Sequence, residues 1–329
     1  MRSELIPLSE WIANSHSMKQ LIKHARRAAK LDVPLLIEGE TGTGKEMLAK
    51  ACHQESSRVM YPFLALNCAG IPDESVESEL FGFLVGNGQS PSTEKKGFFE
   101  QANHGTVLLD QIEEMSSQMQ SKLLRFINDG TFRRVGEDKE VFVDVRIICA
   151  TQKNLFSLVK QGKFREDLYY RLNVITLSIP PLRERRLDIM PLAHFLLSDL
   201  SAQLNITSPR CTADVAQLLM SLDWPGNIRQ LKNTLYQSLV QLDSEHLSAD
   251  DLVFDTFRTH DIELSNSYFE ESDLSEEQLS GTLDDIMGKF EKQVLQQLYI
   301  KHPSSRKLGS RLGISHTAIA NKLKQYNIR

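Results

Sequence analysis

Two stretches of the chain combine the residue types that phosphate chemistry requires. GETGTGKE, residues 39–46, interleaves Gly39, Gly42 and Gly44 with Glu40, Thr41 and Thr43 and closes on Lys45 and Glu46. The glycines let backbone N–H groups curl around phosphate oxygens, a helix starting there adds the partial positive charge of its N-terminus, and Lys45 reaches the outer phosphates. The Ser or Thr that usually follows the lysine and binds Mg²⁺ is replaced by Glu46, so holding the ion falls to Asp110, through water. Asp110 belongs to the second stretch, GTVLLDQIEE, residues 105–114, in which small and apolar residues lead to an acid. A hydrolysing site usually has Glu next; here it is Gln111. A neutral amide cannot accept a proton from an attacking water, and losing a general base costs roughly 10²- to 10⁴-fold, about 3 to 5 kcal/mol of barrier. Triphosphate binding should survive and hydrolysis should be weak at most. Glu113 and Glu114 are carboxylates further along that could stand in.

The elements that must hold these residues are legible as a rhythm. VPLLIEG, FLALNC, TVLLD, VDVRIICAT and VITLSI, between residues 33 and 179, are short apolar runs that predict buried strands. Helix-period segments such as SSQMQSKLLRFIND separate them, which predicts an α/β domain with a doubly wound parallel sheet over 14–184, after an N-terminal extension of 1–13. From 185 to 254 the pattern turns helical, with TADVAQLLMSLD and NIRQLKNTLYQSLVQLD as a small helical subdomain over the sheet. Residues 255–282 are polar and acidic, with Asp255, Asp261, Glu263, Glu270, Glu271, Asp273, Glu276 and Glu277, and predict a linker.

Residues 283–329 predict a small all-α unit. A capping-box-like start at Thr282 and Asp285 opens a helix bearing Ile286, Phe290, Val294, Leu295 and Leu298. In SSRKLGSRLGISHTAIANKLKQY, residues 304–326, two short helices around Gly313 have helix-turn-helix spacing, with Leu308, Leu312, Ile314, Ile319 and Leu323 inward. Ser315 caps the second helix and turns His316, Thr317, Asn321 and Lys322 outward, toward base edges, while Arg306, Lys307, Arg311 and Lys324 suit phosphates. A unit this small is expected to pair through its first helix, and two copies would meet half-sites about 34 Å apart on double-stranded DNA.

The charge distribution supports that reading. The whole chain of 329 residues has a net charge of −5, yet residues 286–329 hold nine Lys or Arg against one acid, Glu291. Four cysteines, Cys52, Cys68, Cys149 and Cys211, lack metal-ligand spacing and are expected as buried thiols. No apolar run approaches the ~18 to 20 residues of a membrane span, and the N-terminus has no secretion pattern, so a cytoplasmic protein without membrane contact is expected.

GETGTGKE, ESELFG (77–82), FREDLYYRLNV (164–174), PPLRER (180–185) and WPGNIRQL (224–231) together resemble the AAA+ P-loop domain of bacterial enhancer-binding proteins, and the tail resembles their Fis-type helix-turn-helix end. The resemblance implies Thr151 and Gln152 on a sensor strand, Arg229 as a second sensor in the lid, and Arg165 and Arg171 offered to a neighbouring subunit's nucleotide. It implies ATP with Mg²⁺ as ligand. Members that remodel polymerase with the alternative sigma factor carry a GAFTGA loop; this chain reads FLVGNGQSPSTEKKG there, with Gly88 and Gln89 in place of the Phe and Thr. RLGISHTAIANKLKQY, GFFEQAN and TFRRVGEDKEV are similar to a branch that regulates aromatic amino acid biosynthesis and transport genes with housekeeping polymerase. That implies a repressor binding an operator, with tyrosine as effector and a homodimer that becomes a hexamer with ATP and tyrosine. Longer members carry ACT and PAS domains ahead of this region, so a short form without them is expected. The alternatives are an ATP-hydrolysing remodelling enzyme tethered to DNA and an architectural DNA-bending protein.

Overall fold

The computed structural model describes residues 7–70, 72–85, 93–242, 244–254, 288, 291–292, 295–296, 298–299, 304–305 and 316–326. The chain runs from α1 (His16–Ala29) into β1 (Leu35–Glu38), α2 (Lys45–Gln54), β2 (Phe63–Asn67) and α3 (Asp73–Phe81), then through a hairpin of β3 (Gly82–Val85) and β4 (Thr93–Lys96). There follow α4 (Phe98–Gln101), β5 (Thr106–Asp110), α5 (Ser117–Asp129), a hairpin of β6 (Thr131–Arg133) and β7 (Glu140–Phe142), β8 (Arg146–Thr151), α6 (Leu155–Lys160), α7 (Glu166–Leu172) and β9 (Ile175–Ser178). All five apolar runs enter one parallel sheet in the order β2-β5-β8-β1-β9.

Because helices cover both faces of this sheet, its inner strands are apolar without alternation: all of β8 is buried, as are the first four residues of β5. Side chains still divide by the two-residue period. Leu35, Ile37, Leu108 and Ile148 join Leu21 of α1 and Leu48 of α2 on one face, while Leu36, Val107, Leu109 and Cys149 join Leu123 of α5 and Leu168 of α7 on the other. Four phenylalanines from α3, α4, α5 and β6 extend that second core, with Phe99 stacked on Phe126 at 4.0 Å between centroids. Local signals set the helix ends. Ser15 and Ser116 side chains accept the N–H groups of Met18 and Met119 at the starts of α1 and α5, and Gly130 ends α5 at φ 66°.

At the strands' N-terminal edge, Arg58 is nearly buried and bridges Asp32 and Asp144, each at 2.7 Å. Arg146 donates to the carbonyls of Ala28 and Ala29, satisfying the last turn of α1. All four cysteines are free; Cys52, Cys68 and Cys149 are buried and Cys211 partly so. Burial pushes the Cys52 and Cys68 thiols up to about 12, which makes them inert packing groups.

After β9 the chain forms a helical subdomain of α8 (Ile189–Leu204), α9 (Ala213–Ser221) and α10 (Asn227–Gln241), with a short parallel pair β10 (Arg210–Cys211) and β11 (His246–Leu247). Trp224 is its largest buried side chain, and its indole N–H donates to the Leu219 carbonyl at 2.8 Å. Residues 1–254 form one compact unit and 255–329 another. In the second, α11 (His316–Gln325) buries Ile319 and Leu323 with Leu295, and Tyr299 and Tyr326 lie against them. The expected linker, 255–282, and Arg306, Lys307, Arg311 and Ser315 lie outside the described residues. No described helix is long and apolar enough to cross a membrane.

Trp224→Ala removes the centre of the helical subdomain and should cost about 3 to 5 kcal/mol of stability. Urea denaturation followed by circular dichroism measures it; a loss below about 1 kcal/mol, the range of a surface change, contradicts this assignment.

Candidate nucleotide site and DNA interface

The carboxyl ends of the parallel strands converge where β1 gives way to the glycine loop. Gly39 donates to the Thr151 carbonyl at 3.2 Å, tying the loop to β8. Gly42 and Gly44 take left-handed φ values of 77° and 104°, and α2 starts directly after Gly44. Thr43 stiffens the loop by donating its hydroxyl to the Glu40 carbonyl at 2.8 Å. Lys45 Nζ folds back onto the carbonyls of Gly39, at 2.8 Å, and Glu40, at 3.1 Å. Glu46 points elsewhere, to Lys50 at 2.6 Å.

Asp110 ends β5 beside Asn67 of β2 and accepts the Gln111 N–H at 3.0 Å. Burial raises the Asp110 carboxyl, and Lys45 opposes that rise. Burial likewise lowers the Lys45 ammonium, opposed by Asp110 and then Glu113. Each charge therefore opposes the desolvation of its partner in a partly buried cleft. Gln111 adopts φ 56°, a left-handed conformation for a non-glycine residue, and opens a 3-10 turn over Ile112–Glu114. Glu114 is exposed and paired with Lys153 at 2.6 Å. Glu113 is buried, and its Oε1 accepts the Gln152 N–H at 3.1 Å. Of the two sensor-strand residues, Gln152 meets the loop, accepting the Thr41 hydroxyl. Thr151 is fully buried with its hydroxyl in a turn with Lys153.

The helical subdomain seats directly on the loop. Asn227, fully buried at φ 51°, donates to Glu40 Oε2 at 3.1 Å and to the Thr41 carbonyl at 3.0 Å, and accepts the Leu182 N–H at 2.7 Å. Arg183 forks onto both Glu40 oxygens at 2.9 and 2.7 Å, which holds the Glu40 carboxyl below the usual range. Ile228 donates to the Gly42 carbonyl at 3.0 Å. A Cβ on Gly42 would lie 2.2 Å from the Gly226 carbonyl oxygen and 2.9 Å from Arg229 Cβ. Arg229 is thereby held at the loop with its side chain exposed. Behind the loop, the buried Arg185 donates to the Thr43 carbonyl at 3.2 Å; burial lowers it to about 10. Sequence reasoning assigned no role to Asn227, Arg183 or Arg185, although all lie in the WPGN and PPLRER runs that carried the resemblance.

Arg165 and Arg171 stand on the exposed side of α7, and neither bonds to a loop residue. Arg165 forks onto Asp167 at 3.0 and 2.7 Å and reaches Ser121 at 3.2 Å. Arg171 is exposed in the last turn. In the second unit, His316, Thr317, Asn321 and Lys324 are exposed on α11. Lys322, half-exposed on the same helix, pairs with Glu291, which also accepts the Tyr326 hydroxyl at 2.7 Å. The helical period alone could not show that a carboxylate 31 residues earlier would capture it. Among the described residues no cluster of His, Cys, Asp and Glu could hold a metal by itself.

Comparison with known proteins places these elements in one lineage. Residues 11–178 match the sigma-54 interaction domain, 183–267 the AAA+ ATPase lid domain and 280–329 a helix-turn-helix domain. The HTH-type transcriptional regulatory protein TyrR of Enterobacter agglomerans is 55% identical over 96% of this chain, which spans 59% of that relative's length. TyrR of Haemophilus influenzae is 49% identical over 98% of this chain and 96% of its own. Among solved structures, NtrX of Brucella abortus in complex with ADP has a TM-score of 0.72 and 32% identity, over 98% of this chain and 69% of that one. Its complex with ATP gives 0.72 and 31%, over 96% of this chain and 69% of that one. Strand order, loop, lid and tail thus agree with a single ancestry, and the chain belongs to the TyrR family of HTH-type transcriptional regulatory proteins.

Proposed function

We propose that this chain is a sequence-specific DNA-binding transcriptional regulator, mainly a repressor of aromatic amino acid biosynthesis and transport genes, working in the cytoplasm. Its AAA+ unit binds ATP and tyrosine, and together these drive a homodimer toward a hexamer. The observation that carries the reading is the combination at one strand edge of an intact phosphate loop with Gln111 where a base belongs. The loop fits a triphosphate: a Cβ built on Gly44 would meet nothing within 4 Å, leaving space before α2, and Lys45 has only loop carbonyls to release. Mg²⁺, held by Asp110, would neutralise the phosphates. Glu40, Thr41 and Gln152 shape the loop, Arg229 senses the nucleotide from the lid, and Arg165 and Arg171 serve the neighbouring subunit's site. The NtrX structures with ADP and ATP support nucleotide binding in this fold.

ATP in this account is a ligand that sets assembly. Linked DNA-binding units gain from effective concentration without new base contacts, so assembly tightens operator binding. Gly88 and Gln89 in place of the GAFTGA Phe and Thr favour action with housekeeping polymerase, although the AAA+ unit matches the sigma-54 interaction domain. The second reading, an ATP-hydrolysing remodelling enzyme tethered to DNA, draws support from that match, and brisk steady hydrolysis lost on Lys45→Ala would favour it.

Sedimentation of the full chain with ATP and tyrosine together should give a larger species than with either alone; an unchanged dimer at saturation overturns the proposal. Gly42→Ala forces a methyl against the Gly226 carbonyl and should weaken ATP binding about tenfold or more, 1.4 kcal/mol, with far-ultraviolet circular dichroism unchanged; retained affinity contradicts the seating of the lid. In a salt titration of operator binding, Lys324→Ala should reduce the log-log slope by about 0.9. Lys322→Ala should change it less, because Glu291 already neutralises that ammonium.

A further inference from the structure

Beside the Gln111 turn stands a carboxylate whose charge the local packing does not need. Glu113 is 9% exposed; its Oε1 accepts the Gln152 N–H, and its Oε2 has no hydrogen-bond partner among the described residues. Burying an unpartnered carboxylate oxygen is costly, and glutamine would accept the same N–H with no charge to desolvate. The surroundings indicate a use for the charge. Gln152, to which Glu113 is bound, accepts the hydroxyl of Thr41 in the phosphate loop. Glu113 also acts electrostatically on Lys45 and on Asp110. Glu114, the other acid in the turn, is exposed and committed to Lys153.

We infer that Glu113 is the carboxylate that holds and deprotonates the water attacking the terminal phosphate of ATP, so that slow hydrolysis limits the lifetime of the nucleotide-assembled state. The inference rests on ATP occupying the phosphate loop, as proposed above. In this step the water oxygen bonds to the terminal phosphorus while the bond from that phosphorus to the bridging oxygen breaks. The water proton passes to Glu113 Oε2, and the electron pair of the broken bond leaves with ADP. Oε2 is enclosed in this conformation, so access requires movement of the Ile112–Glu114 turn. Gln111, at φ 56°, is the strained residue that such a movement would relax. A base that meets water only when its turn opens gives a gated, slow reaction, which suits a timer and not a motor.

The test uses the full chain in excess over ATP with Mg²⁺ and measures single-turnover phosphate release. Binding of a fluorescent ATP analogue and thermal unfolding without nucleotide are measured alongside. Wild type should release phosphate above the Lys45→Ala background, and Glu113→Gln should release it about 10²-fold more slowly or less. The analogue's affinity should be unchanged in Glu113→Gln, and its melting temperature no lower, because the buried charge is gone and the Gln152 bond remains. Glu114→Gln should match wild type, and Gln111→Glu added to Glu113→Gln should restore hydrolysis. The inference is overturned if wild type equals the Lys45→Ala background or if Glu113→Gln hydrolyses like wild type. Loss of affinity and melting temperature together in Glu113→Gln would also overturn it, showing a structural role. Failure of wild type to bind the analogue would instead remove the ATP reading on which it stands.

Discussion

Two backbones meet at Gly42 and Gly226 with no room for a side chain between them. The Ile228 N–H to the Gly42 carbonyl closes that contact, and Glu40, clamped by Arg183 and Asn227, surrounds it with charge-assisted hydrogen bonds. An exposed ion pair contributes little on its own, roughly 0 to 1 kcal/mol. Here the fork is joined by a buried amide and a backbone contact, so the loop and the first turn of α10 behave as one piece. Whatever fills the loop therefore acts on the lid, and whatever tilts the lid acts on the loop; such coupling is reciprocal by linkage. A site that shares its scaffold in this way is suited to report nucleotide to the rest of the unit.

Strain is concentrated around the same contact. Among described non-glycine residues with positive φ, Gln111, Trp224 and Asn227 flank the loop from the strand side and the lid side. Each left-handed conformation of this kind costs of order 1 to 3 kcal/mol and persists only where surrounding bonds over-determine it. Trp224 is fixed by its burial and its bond to Leu219, and Asn227 by bonds in three directions. Gln111 has less to fix it: among the described residues its own tie to the sheet is its N–H to Asp110, and the rest of its turn is held through Glu113 to Gln152 and through Glu114 to Lys153. It is the place where the site can yield most easily.

The sheet was legible because its physics is local. A strand covered on both faces must be apolar throughout, so TVLLD and RIICAT announced themselves, and GETGTGKE could only be a loop whose glycines supply left-handed turns. The outer helices and the lid followed from the helical period of runs such as SSQMQSKLLRFIND and NIRQLKNTLYQSLVQLD. What stayed hidden depends on approach between distant segments. Asn227 and Arg183 read as polar residues until the lid closes on Glu40, and Glu113 read as one of two equivalent acids until burial separated it from Glu114. Arg165 carries the Asp167 pair that a surface arginine readily finds, and Lys322 is neutralised from another helix. In each case the sequence supplies the group, and the tertiary contact decides what the group faces.

The DNA-binding unit shows the same economy on a smaller scale. Glu291, the one acid between residues 286 and 329, pairs at the surface with Lys322 and accepts the Tyr326 hydroxyl, both on or just after α11. Among the described residues, Leu295, Ile319 and Leu323 form the buried core beneath α11, with Leu298, Tyr299 and Tyr326 packed against it. The ion pair occupies one cation that could have met a phosphate. Each phosphate contact forgone lowers the affinity of a single unit and its dependence on salt. A reader with fewer phosphate contacts gains most from being joined to others, because effective concentration multiplies affinity and leaves the contacts of each unit, and hence its sequence preference, unchanged.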